Sequence, residues 1–216
     1  MVKIGVIFYS TYGHTWKLAE KLAEGAKSVG AEVEILRIPE TLSDEILGKM
    51  GGLEARKQWS HYPVVTPDDL KRFDAIALGV PTRFGIPPAQ VKTFIDSLGQ
   101  VWMSGATVGK FATVFGCSGA QHGGNETNLI FSMLPLYHLG FTLVGLPYSY
   151  KGQMEDKVIA GGSPYGATSV SLKTKDVIPV EADGAFHQGK NLVQVMTKYS
   201  LGAGPADKKT AGCWCF

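Results

Sequence analysis

Hydroxyl-bearing side chains directly follow the first apolar run of the chain, and their types and spacing suit the binding of a phosphate. Residues 2–9 are rich in β-branched and aromatic side chains, which is typical of a strand buried on both faces. Residues 16–29 then carry apolar side chains at helical spacing. A short loop between a strand and a helix N-terminus directs backbone N–H groups and the helix dipole at an anion. The predicted phosphate loop consists of Ser10, Thr11, Tyr12, Gly13, His14 and Thr15.

Two further loops follow apolar runs later in the chain, at 75–80 and 111–115. The carboxyl ends of parallel strands meet at one edge of a sheet, where ligands bind, so we expect all three loops to line one pocket. The second loop consists of Pro81, Thr82, Arg83, Phe84 and Gly85. The third loop is glycine-rich and includes Cys117, Ser118, Gly119, Ala120, Gln121, His122 and Gly123.

The composition of the phosphate loop narrows the class of ligand. The loop lacks the lysine of a Walker motif, and no Gly-x-Gly-x-x-Gly sequence follows the first strand. Both nucleoside-triphosphate hydrolysis and ordinary dinucleotide binding are therefore disfavoured. A hydroxyl-lined loop without a cationic partner suits a monophosphate such as that of FMN. The alternative is a Ser/Thr helix cap that holds no ligand; the other two loops favour the ligand.

A parallel sheet is needed to bring these loops together, and the hydrophobic pattern predicts one. Apolar strands alternate with amphipathic helices, which predicts a doubly wound, three-layer α/β/α sandwich with a flavodoxin-like sheet of five parallel strands. The predicted strands are 2–9, 32–38, 75–80, 111–115 and 141–146. Residues 147–184 predict a long excursion, and 185–199 a last helix. We expect one domain over 1–200 and a flexible polar tail over 201–216.

Charge and composition exclude several classes of protein. The 216 residues include 21 basic and 19 acidic ones, for a formal net charge of +2, which gives little reason to expect nucleic acid as a partner. No apolar run approaches the roughly 20 residues of a membrane-spanning helix, and no secretory signal is visible. Three cysteines do not make a disulfide framework, which indicates a reducing compartment. The sequence therefore predicts a cytoplasmic protein, and we assign no metal ligand.

Four separated motifs extend the pattern beyond the three loops. They are Ser10-Thr11-Tyr12-Gly13-His14, Pro81-Thr82-Arg83-Phe84-Gly85, Trp102-x-Ser104-Gly105-Ala106 and Gly161-Gly162-Ser163-Pro164-Tyr165-Gly166-Ala167. In this order they closely resemble the WrbA-type NAD(P)H:quinone oxidoreductases, over residues 2–168 and more weakly through the last helix. The resemblance implies a flavodoxin-like FMN enzyme, usually tetrameric. Such an enzyme passes hydride from NADH or NADPH to FMN and then, in a ping-pong sequence, to a quinone.

The same resemblance implies roles for the loops. It makes residues 10–15 the FMN phosphate site and places Thr82, Arg83 and Phe84 along the isoalloxazine ring. Residues 117–123 would wrap the other edge of the ring. The flavin performs the hydride chemistry while the protein orients it, so no side chain is assigned as catalytic.

Three more residues match family positions outside these contacts. His138 matches a histidine that reaches the flavin from a neighbouring subunit. Tyr12 and Trp102 match aromatic positions that frame the place where nicotinamide and quinone bind in turn, and flat rings stack in such a slot at little entropic cost. The chain departs from the family over 170–180, where a Gly-Ser-Asp-Gly-Ser-Arg stretch is replaced. Both a homodimer and a homotetramer are therefore kept as expectations.

Two other function classes are compatible with the sequence. A flavodoxin-like electron carrier would dock on redox partners, although such carriers often use acidic surfaces and this chain is slightly basic. A flavin-binding regulator without turnover is the other alternative. An assay with nicotinamide and quinone separates both from the enzyme.

The last four residues, Cys213-Trp214-Cys215-Phe216, have the form of a C-a-a-X prenylation motif. A geranylgeranyl group on Cys213, with Lys208 and Lys209 upstream, would give weak peripheral membrane association. The alternative is an unmodified flexible tail. The sequence leaves both possibilities open.

Overall fold

Six parallel strands form the sheet at the centre of the protein. The computed structural model describes residues 1–154, 157–171 and 176–202. The strands are β1 (Lys3–Phe8), β2 (Glu32–Arg37), β3 (Ala75–Pro81), β4 (Phe111–Ser118), β5 (Thr142–Leu143) and β6 (Thr168–Val170).

The strand order is β2-β1-β3-β4-β5, with β6 also paired to β4. This order confirms the predicted doubly wound parallel sheet, in which β2 lies at one edge. The fifth position of the sheet is divided between two short strands: β5 pairs with the start of β4 at Phe111, and β6 with its end at Gly116. The prediction of one strand over 141–146 is therefore wrong in length. The chain leaves the sheet after Leu143 and returns at Thr168, because the glycine-rich excursion is inserted within that strand position.

Eight α-helices accompany the sheet in the described ranges. They are α1 (His14–Lys27), α2 (Asp44–Lys49), α3 (Gly52–Arg56), α4 (Asp69–Arg72), α5 (Ala89–Asp96), α6 (Gly99–Met103), α7 (Asn125–His138) and α8 (Pro179–Gly202). Short 3₁₀ helices lie at Lys57–Trp59 and Lys151–Met154.

The core has two halves, one on each face of the sheet. Successive side chains of β1 alternate between them, since neighbouring residues of a strand point to opposite faces. Ile4, Val6 and Phe8 pack under α1 and α8, whereas Ile7 packs under α5 and α7. The continuous apolar run of β1 is thus explained by burial on both sides.

The last helix begins earlier than the apolar spacing predicts. It starts at Pro179 rather than 185, and it continues to Gly202. Proline is favoured at the first helical position, because its missing N–H would have no helical partner there. Glu181, two residues on, accepts a hydrogen bond from the Ile178 N–H at 3.3 Å, as in one half of a capping box. The apolar spacing predicts these six residues as part of the excursion, so it does not place Glu181 at a helix start.

Candidate functional site

The three predicted loops meet at the carboxyl edge of the sheet and are hydrogen-bonded to one another. Arg83 Nη2 donates to Thr11 Oγ1 at 2.7 Å, which joins the second loop to the first. The Thr82 N–H donates to the carbonyl of Cys117 at 2.8 Å, which joins the second loop to the third. The Thr15 hydroxyl lies 3.2 Å from the Cys117 sulfur, which closes the circle. The neighbouring strands β1, β3 and β4 position all three loops, as the sequence predicted.

The phosphate loop leaves the start of α1 open to an anion. Gly13 precedes the helix with φ = 108°, a left-handed conformation that favours glycine, and no side chain caps the helix. The Ser10 hydroxyl oxygen accepts a hydrogen bond from the Gly13 N–H at 3.0 Å, which holds the turn. Thr11 and Thr15 are buried in the same loop. The combination of hydroxyl groups, an uncapped helix start and the helix dipole suits a phosphate monoester.

His14 occupies the first position of α1 and is buried. Its Nδ1 lies 3.0 Å from the hydroxyl of Ser169 on β6, and that hydroxyl donates to Glu181 Oε2 at 2.7 Å. The sequence did not assign Ser169 or Glu181 to the site. Proline at the first position of a helix followed by glutamate at the third is the signal that would have placed Glu181 at a helix start.

A second, partly buried carboxylate supports the phosphate loop from behind. Glu40 accepts hydrogen bonds from the Tyr9 hydroxyl at 2.9 Å and from Gln90 on α5 at 2.8 Å. Burial alone would raise the pKa of Glu40, but hydrogen bonds from the Leu42 N–H, Gln90, Tyr9 and the Thr41 N–H outweigh it and lower that pKa. Burial raises the pKa of the Tyr9 hydroxyl to about 12. The pair therefore holds the end of β1 in place with Tyr9 neutral and Glu40 ionised.

The second loop is a tight turn that exposes an aromatic ring. The Arg83 N–H donates to the carbonyl of Ile86 at 2.8 Å, and the Ile86 N–H donates back at 3.2 Å. Between them Phe84 and Gly85 have φ values of 54° and 86°, the pattern of a type I′ turn. Phe84 is fully exposed, and it is a non-glycine residue with positive φ. A strained backbone that presents an apolar ring to solvent indicates a ligand contact.

Tyr12 forms a second exposed aromatic edge at the same end of the sheet. Its side chain is 56% exposed, and its hydroxyl donates to the carbonyl of Met50 after α2 at 3.2 Å. Phe84 and Tyr12 thus stand on two loops that Arg83 and Thr11 join. The location agrees with the predicted wall of a slot for flat rings.

The third loop is a tight turn that packs against the second loop. The Ser118 hydroxyl donates to the carbonyl of Ala120 at 2.6 Å, and the Gly123 N–H donates to the same oxygen at 2.9 Å. A Cβ on Gly124 would lie 2.8 Å from the Cα of Gly85, so this approach of two backbones requires glycine. Gln121 and His122 lie exposed at the tip.

The residues present fit FMN. Among the described residues, the buried Asn125 Oδ1 at the start of α7 accepts no hydrogen bond, and a flavin carries an N–H on its pyrimidine edge. The phosphate loop supplies donors for the other end of the cofactor. Burial raises the pKa of the Cys117 thiol, so this side chain near the end of β4 is a neutral packing group and not an activated nucleophile.

Trp102 and His138 do not join the loops of their own chain. Helices α5 and α7 run back across the sheet from its carboxyl edge, and α7, of 14 residues, is about 21 Å long. Thr107, which follows Trp102 in the chain, donates to the carbonyl of Leu139, next to His138, at 2.6 Å. Both side chains therefore lie towards the amino ends of the strands. Within one protomer Trp102 therefore lies away from the three loops and from Tyr12.

The sheet order and the three joined loops define the class of protein: a flavodoxin-like α/β protein with a mononucleotide site at the carboxyl edge of its sheet. Residues 2–153 match the model of the NADPH-dependent FMN reductase family. The chain belongs to this family.

Curated relatives cover nearly the whole chain. A NAD(P)H dehydrogenase (quinone) from Syntrophobacter fumaroxidans is 46% identical over 200 residues, which is 91% of this chain and 98% of the relative. A protein of the same name from Methanosarcina barkeri is 45% identical over 205 residues, 92% of this chain and 99% of the relative. These relatives confirm the resemblance to quinone oxidoreductases that the four motifs indicated.

Solved structures confirm the fold. The crystal structure of a flavodoxin, WrbA-like protein from Agrobacterium tumefaciens superposes with a TM-score of 0.63 at 23% identity, covering 92% of this chain and 99% of that one. The two-electron reduced flavodoxin of Megasphaera elsdenii gives 0.55 at 18% identity, covering 88% and 98%.

Proposed function

We propose that this protein is an FMN-dependent NAD(P)H dehydrogenase (quinone), which reduces quinones to quinols by two electrons at the expense of NADH or NADPH. The observation that carries the proposal is the circle of hydrogen bonds that joins the three loops at the carboxyl edge of the sheet. Relatives at 44–46% identity, aligned over 98–99% of their own length, bear this enzyme name and support the choice of enzyme over electron carrier.

Each loop has its own task in this function. Ser10, Thr11 and the open start of α1 bind the phosphate of FMN. Bound FMN supplies the hydride chemistry. Arg83 fixes the second loop against the first and brings positive charge to the site. Phe84 and Tyr12 offer apolar ring faces to nicotinamide and quinone, which occupy the slot in turn.

Steady-state kinetics of the FMN-loaded protein with NADH or NADPH and benzoquinone test the proposal. We expect nicotinamide oxidation that depends on quinone, with parallel double-reciprocal lines, since both substrates use one slot in turn. Absence of turnover, together with one-electron cycling to a protein partner, would instead identify an electron carrier. Flavin that binds without either activity would identify a regulator.

We further propose that the protein forms a homodimer or homotetramer in which Trp102 and His138 reach the slot of a neighbouring copy. The outward face of α7 supports this proposal, because it exposes large apolar side chains in one stripe. We call these residues the α7 face: Ile130, Phe131, Leu134 and Tyr137. His138 ends the same helix and is also exposed.

The location of the protein in the cell is proposed from the sequence. No helix in the described part of the chain is long and apolar enough to cross a membrane. We propose a cytoplasmic enzyme, whose tail at Cys213 is either prenylated or free; this residue lies outside the described ranges. Intact-mass spectrometry of protein from its native cell distinguishes the two forms, since a geranylgeranyl group adds a fixed mass to the chain.

A further inference from the structure

Glu181 is a buried acid that the proposed function does not use. It is 3% exposed, and its carboxylate accepts hydrogen bonds from four donors. Oε1 accepts from the N–H groups of Gly161 and Val170, both at 2.9 Å. Oε2 accepts from the Ser169 hydroxyl at 2.7 Å and from the Ile178 N–H at 3.3 Å. All four donors are neutral, so the charge of Glu181 has no adjacent cation among these partners.

The direction of the hydrogen bonds determines where a proton lies on His14. A carboxylate only accepts, so the single hydrogen of the Ser169 hydroxyl points to Glu181. The Ser169 oxygen must then accept from His14 Nδ1, 3.0 Å away. His14 therefore carries a proton on Nδ1. The ring is neutral if Nε2 has no hydrogen and positively charged if Nε2 is protonated as well. The buried carboxylate favours the doubly protonated, positively charged ring.

His14 lies at the position where a positive charge would attract the phosphate. It opens α1 directly after Gly13, at the loop that receives the phosphate. The loop itself contains no lysine or arginine. A positive ring at a helix N-terminus is unfavourable on its own, since the helix dipole is positive there. A buried carboxylate on one side and a phosphate on the other would offset that cost.

We propose that Glu181, acting through Ser169, is a positioning residue that holds His14 in its Nδ1-protonated, cationic form beside the FMN phosphate and thereby retains the cofactor. This inference rests on FMN being the cofactor, as proposed above. It makes β6 and the start of α8 part of the phosphate site, although they lie far from the loop in sequence. Loss of the proton from His14 then weakens the hold on FMN.

Other charged groups near His14 also influence its protonation. Asp176 precedes α8 and interacts electrostatically with His14; the Lys17 ammonium, 2.8 Å away, is the main cause of its lowered pKa. From β4, the neutral Cys117 thiol faces Thr15, and Arg83 lies across the loop at Thr11. Histidine is the side-chain type that ordinarily titrates between about pH 5 and 8. Among these described groups, a change in FMN release over that range is therefore assigned to His14.

Two variants separate the relay from the cap that Glu181 also forms. In Glu181→Gln the amide oxygen stays towards the Gly161 and Val170 N–H groups, so the NH₂ group replaces Oε2 and donates to Ser169. This variant also loses the hydrogen bond from the Ile178 N–H, a cap contact that Ser169→Ala keeps. The Ser169 hydrogen then turns to His14 Nδ1, which must accept, and the ring becomes neutral. In Ser169→Ala the relay is cut, whereas the three backbone contacts of Glu181 stay. Ser132→Ala is the matched control, because it removes a buried hydroxyl that donates to Asn128 O at 2.7 Å on another helix.

The first measurement is the rate of FMN release from the holoprotein after dilution, followed by flavin fluorescence from pH 5.5 to 8.5. We expect wild-type and Ser132→Ala protein to release FMN faster as pH rises. Glu181→Gln and Ser169→Ala should release it about tenfold faster than wild type at pH 6 and with little dependence on pH. If Ser169→Ala keeps the wild-type rate and pH profile, Glu181 is only a helix cap and the inference is wrong.

The second measurement does not depend on FMN or on turnover. ¹⁵N shifts of histidine-labelled protein report which ring nitrogen carries hydrogen, and His14→Gln identifies the signal among the five histidines. We expect hydrogen on both ring nitrogens in wild type at pH 6 and a neutral Nε2–H ring in Glu181→Gln. A wild-type His14 without hydrogen on Nδ1, or one that is neutral at pH 6, overturns the inference even if the enzyme is active. Conversely, a protein that binds no FMN or reduces no quinone while His14 is Nδ1–H overturns the proposed function alone.

Discussion

Phe84 combines two costs at one position, a left-handed backbone and a fully exposed aromatic ring. Its φ is 54°, and the ring makes no use of the core. An L-residue in this conformation costs about 1–2 kcal/mol. A position that costs folding energy without contributing to packing is best explained by contact with a substrate or cofactor.

Replacing Phe84 with asparagine should therefore separate stability from function. Asparagine tolerates positive φ, so we expect the free energy of unfolding of the apoprotein to rise by about 0.5–1 kcal/mol. The KM for quinone should rise severalfold, because a ring face is lost from the slot. Chemical denaturation and steady-state kinetics measure the two effects. Phe84→Leu keeps the strain and loses only the ring; an unchanged KM in both variants would remove Phe84 from the slot.

At the scale of elements, Glu40 connects the end of β1, the loop after β2 and helix α5. Its partners on the first and last of these are Tyr9 and Gln90. The carboxylate is only partly buried, so its contribution to stability is moderated by solvent. It nevertheless joins three elements directly behind the phosphate loop.

The lowered pKa of Glu40 predicts a loss of stability in acid. A carboxyl group whose folded pKa lies below its unfolded value stabilises the protein above the unfolded value, and this stability is lost as pH falls through the folded value. We expect Glu40→Gln to lower the free energy of unfolding by about 1–2 kcal/mol at pH 7, and the difference to disappear between about pH 5 and pH 3. Denaturation at several pH values measures it. Glu45→Gln, at an exposed pair with Lys49, is the control and should change little.

Helices α1 and α8 approach so closely that two glycines are required. A Cβ on Gly25 would lie 1.9 Å from the carbonyl oxygen of Phe186, and one on Gly189 would lie 2.0 Å from that of Leu22. Backbone carbonyls cannot rotate away as a side chain would. The contact fixes the position of α8, and therefore of Glu181 near its N-terminus, relative to α1.

Gly189→Ala should consequently lower the free energy of unfolding by about 3 kcal/mol, since overpacking outweighs the better helix propensity of alanine. Gly99→Ala is the matched control: a Cβ there meets nothing within 4 Å, so that variant should be neutral or more stable by about 0.5 kcal/mol. Thermal and denaturant unfolding compare the two. Equal stability of both variants would show that the helices move apart at little cost.

At the scale of the whole molecule, the site of one protomer lacks Trp102 and His138. Both lie towards the amino ends of the strands, beside the α7 face, while the loops lie at the carboxyl ends. If the proposed assembly forms, a second copy supplies them to the slot.

Phe131→Asp in the middle of the α7 face should dissociate the assembly, because a buried unpaired charge is costly at an interface. We expect a lower mass in light scattering and a lower kcat/KM for quinone, with FMN still bound. Val64→Asp, at an exposed apolar side chain outside this face, should keep both the mass and the activity. A wild-type protein that is already monomeric and fully active would exclude the assembly.

The local sequence was sufficient to locate the loops proposed to bind the phosphate and the strands that they follow. Apolar runs on both sides of residues 10–15 predicted the strand and the helix, and the alternation of elements predicted the parallel sheet. The location of all three loops at one edge followed from the geometry of parallel strands. Boundaries were less accurate where the pattern is irregular, as in β5 and at the start of α8.

The sequence by itself determined the class of fold, the family and the three loops of the proposed flavin site, because periodicity and short motifs depend on neighbouring residues. Only the tertiary structure decided which distant residues complete that site. In the folded chain Ser169 and Glu181, over 150 residues further along, form a hydrogen-bonded chain with His14. Trp102 lies towards the amino ends of the strands, away from the three loops. Contacts of this kind depend on how helices cross the strands and on where an insertion returns, and no local pattern records either.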